Sequence, residues 1–516
     1  MHHFLPLLLL TALILLSPGR TGLLLAASPG DYVTYERFGA KGDGKENDLP
    51  AIRAAHQYAN ERNLPVRAKA DGCYRIGAGE PAIIKTDTDF QNARFLIDDS
   101  QLTVKEGQKN VFRVESDIPP WDVTVPAPLR QGAGNLGVVL PYRALVVIYN
   151  KNQSHFIRLG LNQNNGVSAS DTILVEKDGT IHASTPLLWD FPQITSAKAY
   201  SVEDRPIVIR GGIFTTIANR AESKYTYHSR GIQILRSNVI LENHSHYVTG
   251  EGPQGAPYSG FFSFQTCYNG VLRNCRVSGH KIYSTIGSAG KPVTMGTYDL
   301  GAERAVQLVF QNVEQINNIH DTTKWGIMGT NFCRNLVLEG CTLSRFDAHQ
   351  GVANVTIRNC VLGHAGINLI GYGNVLLENT WVHSSWLMNL RGDYGSTWRG
   401  NLTVRNCVLA PPKTSSRAGI LNGYNVGTHD FGYPCFMPET ITLQNLTILD
   451  KSPKGNIPVF FFADFLQGRG TPGPIPYLRT RQVLLQNVAT ESGSPISLSP
   501  NPSFFSQTQI LPLPAR

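Results

Sequence analysis

Acids, a histidine and an arginine interrupt apolar runs in the middle of this chain, at FDAHQG (346–351), GINLIG (366–371) and LMNLRGD (387–393). Asp347, His349, Asn368, Asn389, Arg391 and Asp393 are the polar members. Polar groups that break an apolar strand pattern in one patch mark a site, because burying them without purpose is costly. Asp321, Lys324 and Trp325 precede them in DTTKWG, and His280, Tyr283, Tyr298 and Asp299 lie in the stretch 280–299. Tyr394 and Trp398 follow in RGDYGSTW.

Two chemistries fit these residue types. β-Elimination on a uronic acid polymer needs a cation to neutralise the carboxylate, a base for the proton beside it and an acid for the leaving oxygen. Arg391, Lys324 and Arg345 are the candidate cations, and His349, His280 or Tyr283 the candidate base or acid. Hydrolysis needs two carboxyls, roughly 5–5.5 Å apart for retention or ~6.5–9.5 Å for inversion. Asp299, Asp321, Asp347 and Asp393 could supply such a pair. The same acids could instead hold Ca²⁺, which takes oxygen ligands; no other cofactor is indicated. Tyr and Trp suit stacking on sugar rings, so His280, Tyr283, Tyr298, Asp299, Trp325, Asn368, Asn389, Tyr394 and Trp398 are the expected substrate contacts, with Asp347, His349, Arg391, Asp393, Asp321 and Lys324 the expected catalytic set. A non-catalytic glycan-binding surface is the third reading.

These residues must be positioned by a repeat. LVLEGCTL (336–343), VTIRNCVL (355–362), VLLENTWV (375–382) and LTVRNCVL (402–409) share one pattern with the turn residue at Gly340, Asn359, Asn379 and Asn406. Turns about 20 residues apart between short period-two apolar runs predict a solenoid of parallel strands, each coil burying its apolar face on the next. The turn series extends back through Gly211, Asn243, Asn274 and Asn312 and on to Asn445 and Asn487. Asn tolerates left-handed backbone angles, and its amide can bond the Asn of the next coil about 4.8 Å away. The Asn-x-Ser/Thr triplets at Asn152, Asn243, Asn354, Asn401 and Asn445 are read as by-products of this pattern rather than glycosylation sites. Cys275, Cys341, Cys360 and Cys407 each follow the turn residue, which predicts a file of buried free thiols. Intervals longer than one bare coil, from 211 to 312 and from 379 to 406, become loops that wall a groove.

Aligning the interrupted strands on Gly351 and Gly371 sends Asp347 and His349 inward with Ile367 and Leu369. The expectation is that a one-residue bulge turns them outward. The alternative is a buried Asp347–His349–Arg345 network.

Residues 35–60, YERFGAKGDGKENDLPAIRAAHQYAN, hold a Gly and Asp loop followed by a helix start at Asp48 and Pro50, with Ile52, Ala55 and Ala59 on one face. This segment resembles the N-terminal "FGAKGDG…D…AI…A" motif of the pectate lyase superfamily. The resemblance implies an all-β, single-stranded right-handed parallel β-helix with an N-terminal capping helix, and says nothing of the reaction. It departs from the common pattern at Asn47–Pro50. The consecutive-Asp and Gly-His-Gly signatures of polygalacturonases are absent, with Ala365 where the second Gly would follow His364, and the calcium-dependent pectate lyase pattern is not recognisable.

The division read from the sequence is a signal peptide at 1–27, an N-terminal cap and irregular first coils at 28–200, the β-helix at 201–500 and a C-terminal tail at 501–516. An excursion near 115–140 and a small β subdomain near 142–190 are expected within the irregular part. The apolar run from Phe4 to Leu16 is shorter than the ~20 residues a membrane span needs and reads as an export signal, so a secreted or periplasmic location is expected. With 41% apolar and 16% charged residues, 49 Gly and 31 Pro, the chain is composed for strands and turns rather than helix faces. Its formal charge is +8, to which residues 1–27 contribute only Arg20; this favours an anionic polysaccharide as partner. No block of Lys and Arg interleaved with aromatics suggests nucleic acid. Nothing in the sequence speaks to oligomeric state.

Overall fold

The computed structural model describes residues 32–514 except 161–162, 225, 288, 327, 425–428 and 466–476. The predicted signal segment 1–27 lies outside the described residues. The body is a right-handed parallel β-helix: nearly every strand pairs in parallel with the strand one coil later, as Leu402–Arg405 does with Ile441–Gln444 and these with Val483–Gln486. Alternate residues of each strand face the bore. In Trp398–Leu409, Leu402, Val404, Cys407 and Leu409 are buried while Thr403, Arg405 and Asn406 are not.

All ten predicted turn residues adopt left-handed angles, from φ 48° at Asn379 to 76° at Gly211. Their amides form the expected ladder: Asn379 donates to Asn359 (3.1 Å), Asn406 to Asn379 (3.1 Å), Asn445 to Asn406 (2.8 Å) and Asn487 to Asn445 (3.0 Å). A second ladder stands at the other end of the same strands. Asn238, Asn269, Gln307, Asn335 and Asn354 are also left-handed, and Asn269 donates to Asn238 (2.7 Å) and Asn354 to Asn335 (2.9 Å). Behind the first turn, Cys275, Cys341, Cys360 and Cys407 are buried free thiols.

The N-terminal end is closed by the helix Leu49–Arg62, which buries Leu49, Ile52, Ala55, His56 and Ala59 on the first coils. A fully buried Ile is worth roughly 1.5–3 kcal/mol, so this face is enough to seat the cap. The Asp48 side chain does not cap the helix. It accepts from the Lys41 and Gly42 amides (2.6 and 3.2 Å) and so pins the preceding Gly loop.

The coil that ends at Phe112–Val114 is followed by one long excursion, in the region where the sequence predicts an excursion and a small β subdomain. Residues Trp121–Asp122, Ala144–His155, Val167–Val175 and Ser196–Ser201 form an antiparallel four-stranded sheet with its own core, including Leu136, Val146, Ile148, Ile173 and Phe191. The helix then resumes as if uninterrupted: Ile213–Ile217 pairs residue by residue with Arg94–Asp98. The inserted sheet lies along the outside of later coils. Arg334 pairs with Asp171 and donates to the Pro186 carbonyl (2.8 Å), Asn335 donates to the Ser184 carbonyl (2.9 Å), and the Ile157 amide donates to the Phe431 carbonyl (3.2 Å). At the far end Gln509–Pro512, within the stretch read as a tail, adds a last strand on Gln482–Leu485, and Phe505 stacks on Phe462 at 4.4 Å.

Candidate functional site

Four neighbouring strands, Ser259–Gln265, Tyr298–Glu303, Met328–Glu339 and Thr342–Arg358, make the floor of a groove of about 310 Å³. Phe262, Phe264, Leu300, Met328 and Phe346 point into the bore, so the residues between them point out. One outward file is small, Ser263–Gly301–Gly329, and makes a trough. A Cβ at Gly329 would fall 2.8 Å from the Tyr298 ring, so only glycine lets that ring lie across the floor. The other file is polar, Gln265–Glu303–Asn331–Gln350. Thr294 and Gly296, at the end of the hairpin Tyr283–Ile286/Pro292–Met295, stand on one side, and Arg158, in the connection between strands Ala144–His155 and Val167–Val175 of the inserted sheet, also reaches the groove.

Between the pairs Thr330↔Ala348 and Asn331↔Gln350 the later strand carries one extra residue, His349. This bulge turns His349 to the groove, the expected one of the two arrangements. Its Nδ1 lies 3.1 Å from Asn331 Oδ1. An amide oxygen only accepts, so Nδ1 carries the proton and Nε2 keeps its lone pair. Burial, reinforced by the nearby Arg391, lowers the His349 pKa to about 4, so the ring is neutral in ordinary conditions.

Asp347 also faces outward, between the core residues Phe346 and Ala348, and stacks in register on Asn368. It is nevertheless fully covered, because Arg345 and Arg391 close over it. The bulge is present, and of the alternative network only the Arg345–Asp347 pair is, with Arg391 as the second partner and His349 bonded to Asn331 instead. Arg345 Nη2 is 2.8 Å from Asp347 Oδ2, and Arg391 Nη1 is 3.0 and 3.2 Å from the two Asp347 oxygens. Arg391 Nη2 reaches Asp393 Oδ2 at 3.0 Å, and Arg158 Nη2 reaches the same oxygen at 2.7 Å. Burial alone would raise both acids, but the arginines outweigh it: Asp347 is held at about 2 and Asp393 below its usual range. Three guanidiniums over two carboxylates leave one positive charge in excess. Tyr394 supports the cluster from beneath, with Arg158 and Arg391 over its ring at 5.4 and 5.8 Å. Trp325 lines the groove under the Arg345 guanidinium, 4.7 Å from its ring centre.

Several predicted contacts belong elsewhere. His280, Asp299 and Tyr283 are buried in a separate network. His246 Nδ1 lies 2.7 Å from Asp299 Oδ1, His280 Nε2 3.2 Å from the same oxygen, and His280 Nδ1 3.1 Å from Glu251, which also accepts from the Tyr283 hydroxyl at 3.1 Å. Although burial works against it, the bonds to Asp299 and Glu251 raise the His280 pKa to about 9. Asp321 and Lys324 do not line the groove; Asp321 closes a local turn onto Thr323. Asn368 donates to the Ala365 carbonyl of its own strand (3.0 Å) and to the Phe346 carbonyl one coil before (3.4 Å), and Asn389 accepts from Asn422 one coil later (3.0 Å), so both serve the scaffold. Trp398 is fully buried and donates to the Gly373 carbonyl at 2.9 Å. Among the described residues no group of three or more His, Cys, Asp or Glu is arranged to hold a metal ion; of the acids considered for Ca²⁺, Asp347 and Asp393 are engaged by arginines, Asp299 by histidines and Asp321 by Thr323.

The chain is similar in fold to phage tailspikes. The tailspike protein gp49 from Pseudomonas phage LKA1 matches with a TM-score of 0.54 and 14% identity over 90% of this chain and 82% of that one. The tailspike gp61 of Pseudomonas phage phi297 matches with a TM-score of 0.52 and 12% identity over 89% and 81%. At such identities the likeness concerns the fold, which is the one implied by the resemblance of residues 35–60 to the pectate lyase superfamily. No protein-family model and no curated protein sequence matches the chain.

Glu303, Asn331, Gln350 and Arg158 are among the groove residues that escaped the sequence reading. Glu303 stands nine residues before the turn at Asn312, as Asn331 does before Gly340 and Gln350 before Asn359, and that equal spacing is the signal that would have found it. Arg158 carries no such signal, because it belongs to the inserted sheet and meets the groove only through tertiary packing.

Proposed function

We propose that this is an exported polysaccharide lyase that cleaves a uronic acid-containing polymer by β-elimination. The observation that carries the reading is a neutral His349, its Nε2 lone pair free by virtue of Asn331, set in one groove with Arg158 and Arg391, which together with Arg345 carry one positive charge more than Asp347 and Asp393 balance. The arginines neutralise the substrate carboxylate and so make the adjacent C–H acidic. His349 Nε2 takes that proton. The electron pair forms the new C=C bond as the glycosidic C–O bond on the β-carbon breaks, and the leaving oxygen takes a proton from Tyr298 or water. Burial and the neighbouring Asp347 raise the Tyr298 pKa, so it holds its proton until it is needed. Hydrolysis by an acid pair has less support, since Glu303 is the one acid among the described groove-lining residues and Asp347 and Asp393 are bound to arginines. Export is supported by the apolar run Phe4–Leu16.

The test is incubation with a panel of acidic and neutral polysaccharides. Ultraviolet absorbance of an unsaturated uronide is expected; new reducing ends without it would mean hydrolysis, and binding with neither would mean a glycan-binding protein.

A further inference from the structure

The groove floor is charged unevenly along the helix axis. Arg158, Arg391 and His349 stand at one end, and Glu303 lies two coils from His349, about 10 Å at one strand spacing per coil. The Glu303 side chain is 51% exposed. Among the described residues the only cation within 4 Å of it is Arg304, whose Nε is 3.9 Å distant. That guanidinium is committed elsewhere: it donates to Ser170 Oγ at 3.1 Å and lies over Phe332 at 4.3 Å and Tyr149 at 5.3 Å. The other members of the polar file, Gln265, Asn331 and Gln350, are uncharged amides. Behind Gln265 the amides continue, with Asn110 donating to Gln233 (3.1 Å) and Gln233 to Gln265 (2.7 Å). Glu303 is therefore a single carboxylate set in a file of amides, facing the groove.

A pyranose residue is about as long as the strand spacing, so a saccharide laid along the axis presents roughly one sugar per coil. A homopolymer of uronic acid held by its carboxylate at Arg158 and Arg391 would bring another carboxylate against Glu303. A sugar bearing only hydroxyls would instead donate to it. Resting on the lyase reading for the His349 end, we propose that the substrate is a heteropolymer in which uronates are spaced by neutral sugars, and that Glu303 selects it by accepting hydroxyl hydrogen bonds and repelling a second carboxylate.

Binding reads this independently of cleavage. The wild type and the Glu303→Gln protein are run by affinity electrophoresis through gels containing either a fully charged homopolyuronate or the same polymer with about half of its carboxyls reduced to alcohols. The wild type is expected to be retarded more by the reduced polymer. Glu303→Gln is expected to raise affinity for the fully charged polymer about tenfold, which closes most of the gap, as removal of a like charge at close range should. An unchanged preference in Glu303→Gln, or a wild type that prefers the fully charged polymer, overturns the proposal. Absence of an unsaturated product alongside this charge-dependent binding would count against the lyase reading and leave the selection by Glu303 standing.

Discussion

Arg391 places one guanidinium nitrogen 3.0 Å and 3.2 Å from the two oxygens of Asp347, a residue 44 positions earlier in the chain and two coils away along the stack. The pair bridges coils and is fully desolvated on the acid side, so its two halves are unequal to lose.

Arg391→Ala leaves Asp347 buried with Arg345 alone and is expected to cost about 3–5 kcal/mol, read from the denaturant midpoint. The double change Asp347→Asn with Arg391→Gln removes both charges and should cost less than the sum of the single changes. Additive costs would mean that the two residues do not act as a pair.

His349→Ala is expected to lower kcat by roughly 10²–10⁴-fold with little change in KM, because the base acts on a proton rather than on binding. Asn331→Ala should lower kcat less, through loss of the fixed tautomer. Wild-type activity should fall as pH drops through about 4, where His349 gains a proton. Product formation followed between pH 3 and 8 checks both.

Stability should fall toward both acid and alkali for opposite reasons. His155, His228, His244 and His349 are lowered to about 4, chiefly by burial, so their contribution is complete above 6.5 and is lost as pH falls toward 4. His280, raised to about 9 by Asp299 and Glu251 against its burial, contributes fully below 6.5 and is lost as pH rises through 9. Melting temperatures across this range should show the alkaline loss, on the order of 3 kcal/mol, in the wild type and not in His280→Gln.

Asn406 sits at φ 52° and takes part in two ladder bonds. Asn406→Ala should cost about 1–3 kcal/mol from the left-handed backbone and the lost amide contacts together. Asn406→Gly should recover only the backbone part, so its unfolding midpoint should lie between those of the other two proteins.

The scaffold was legible because its signals are local: an Asn or Gly that turns the chain and an apolar residue at every second place. Asp347, His349 and Arg391 were legible as breaks in that alternation. His280, Tyr283 and Asp299 were misplaced because they were assigned to the groove as loop residues, for which no alternation fixes an inward or outward direction; beside Asp299 the register also shifts, between Ser259 and Phe262. Their polar groups find partners inside the coil, which no pattern in the loop sequence signals. Trp398 was misread although the rule applied, since counting back from the inward Leu402 by twos lands on it. Arg158 was out of reach of any pattern, because the inserted sheet meets the helix through side chains far apart in sequence.

That inserted sheet changes the mechanics of the whole stack. In a plain solenoid each coil touches only its neighbours, so terminal coils can fray one at a time. Here a strut that leaves the chain after Val114 is fastened at Arg304, Arg334, Asp393 and Phe431. Opening a coil near residue 393 therefore also strains contacts with a segment made more than 200 residues earlier. The filament becomes a braced beam, in which the coils that carry the groove open together or not at all.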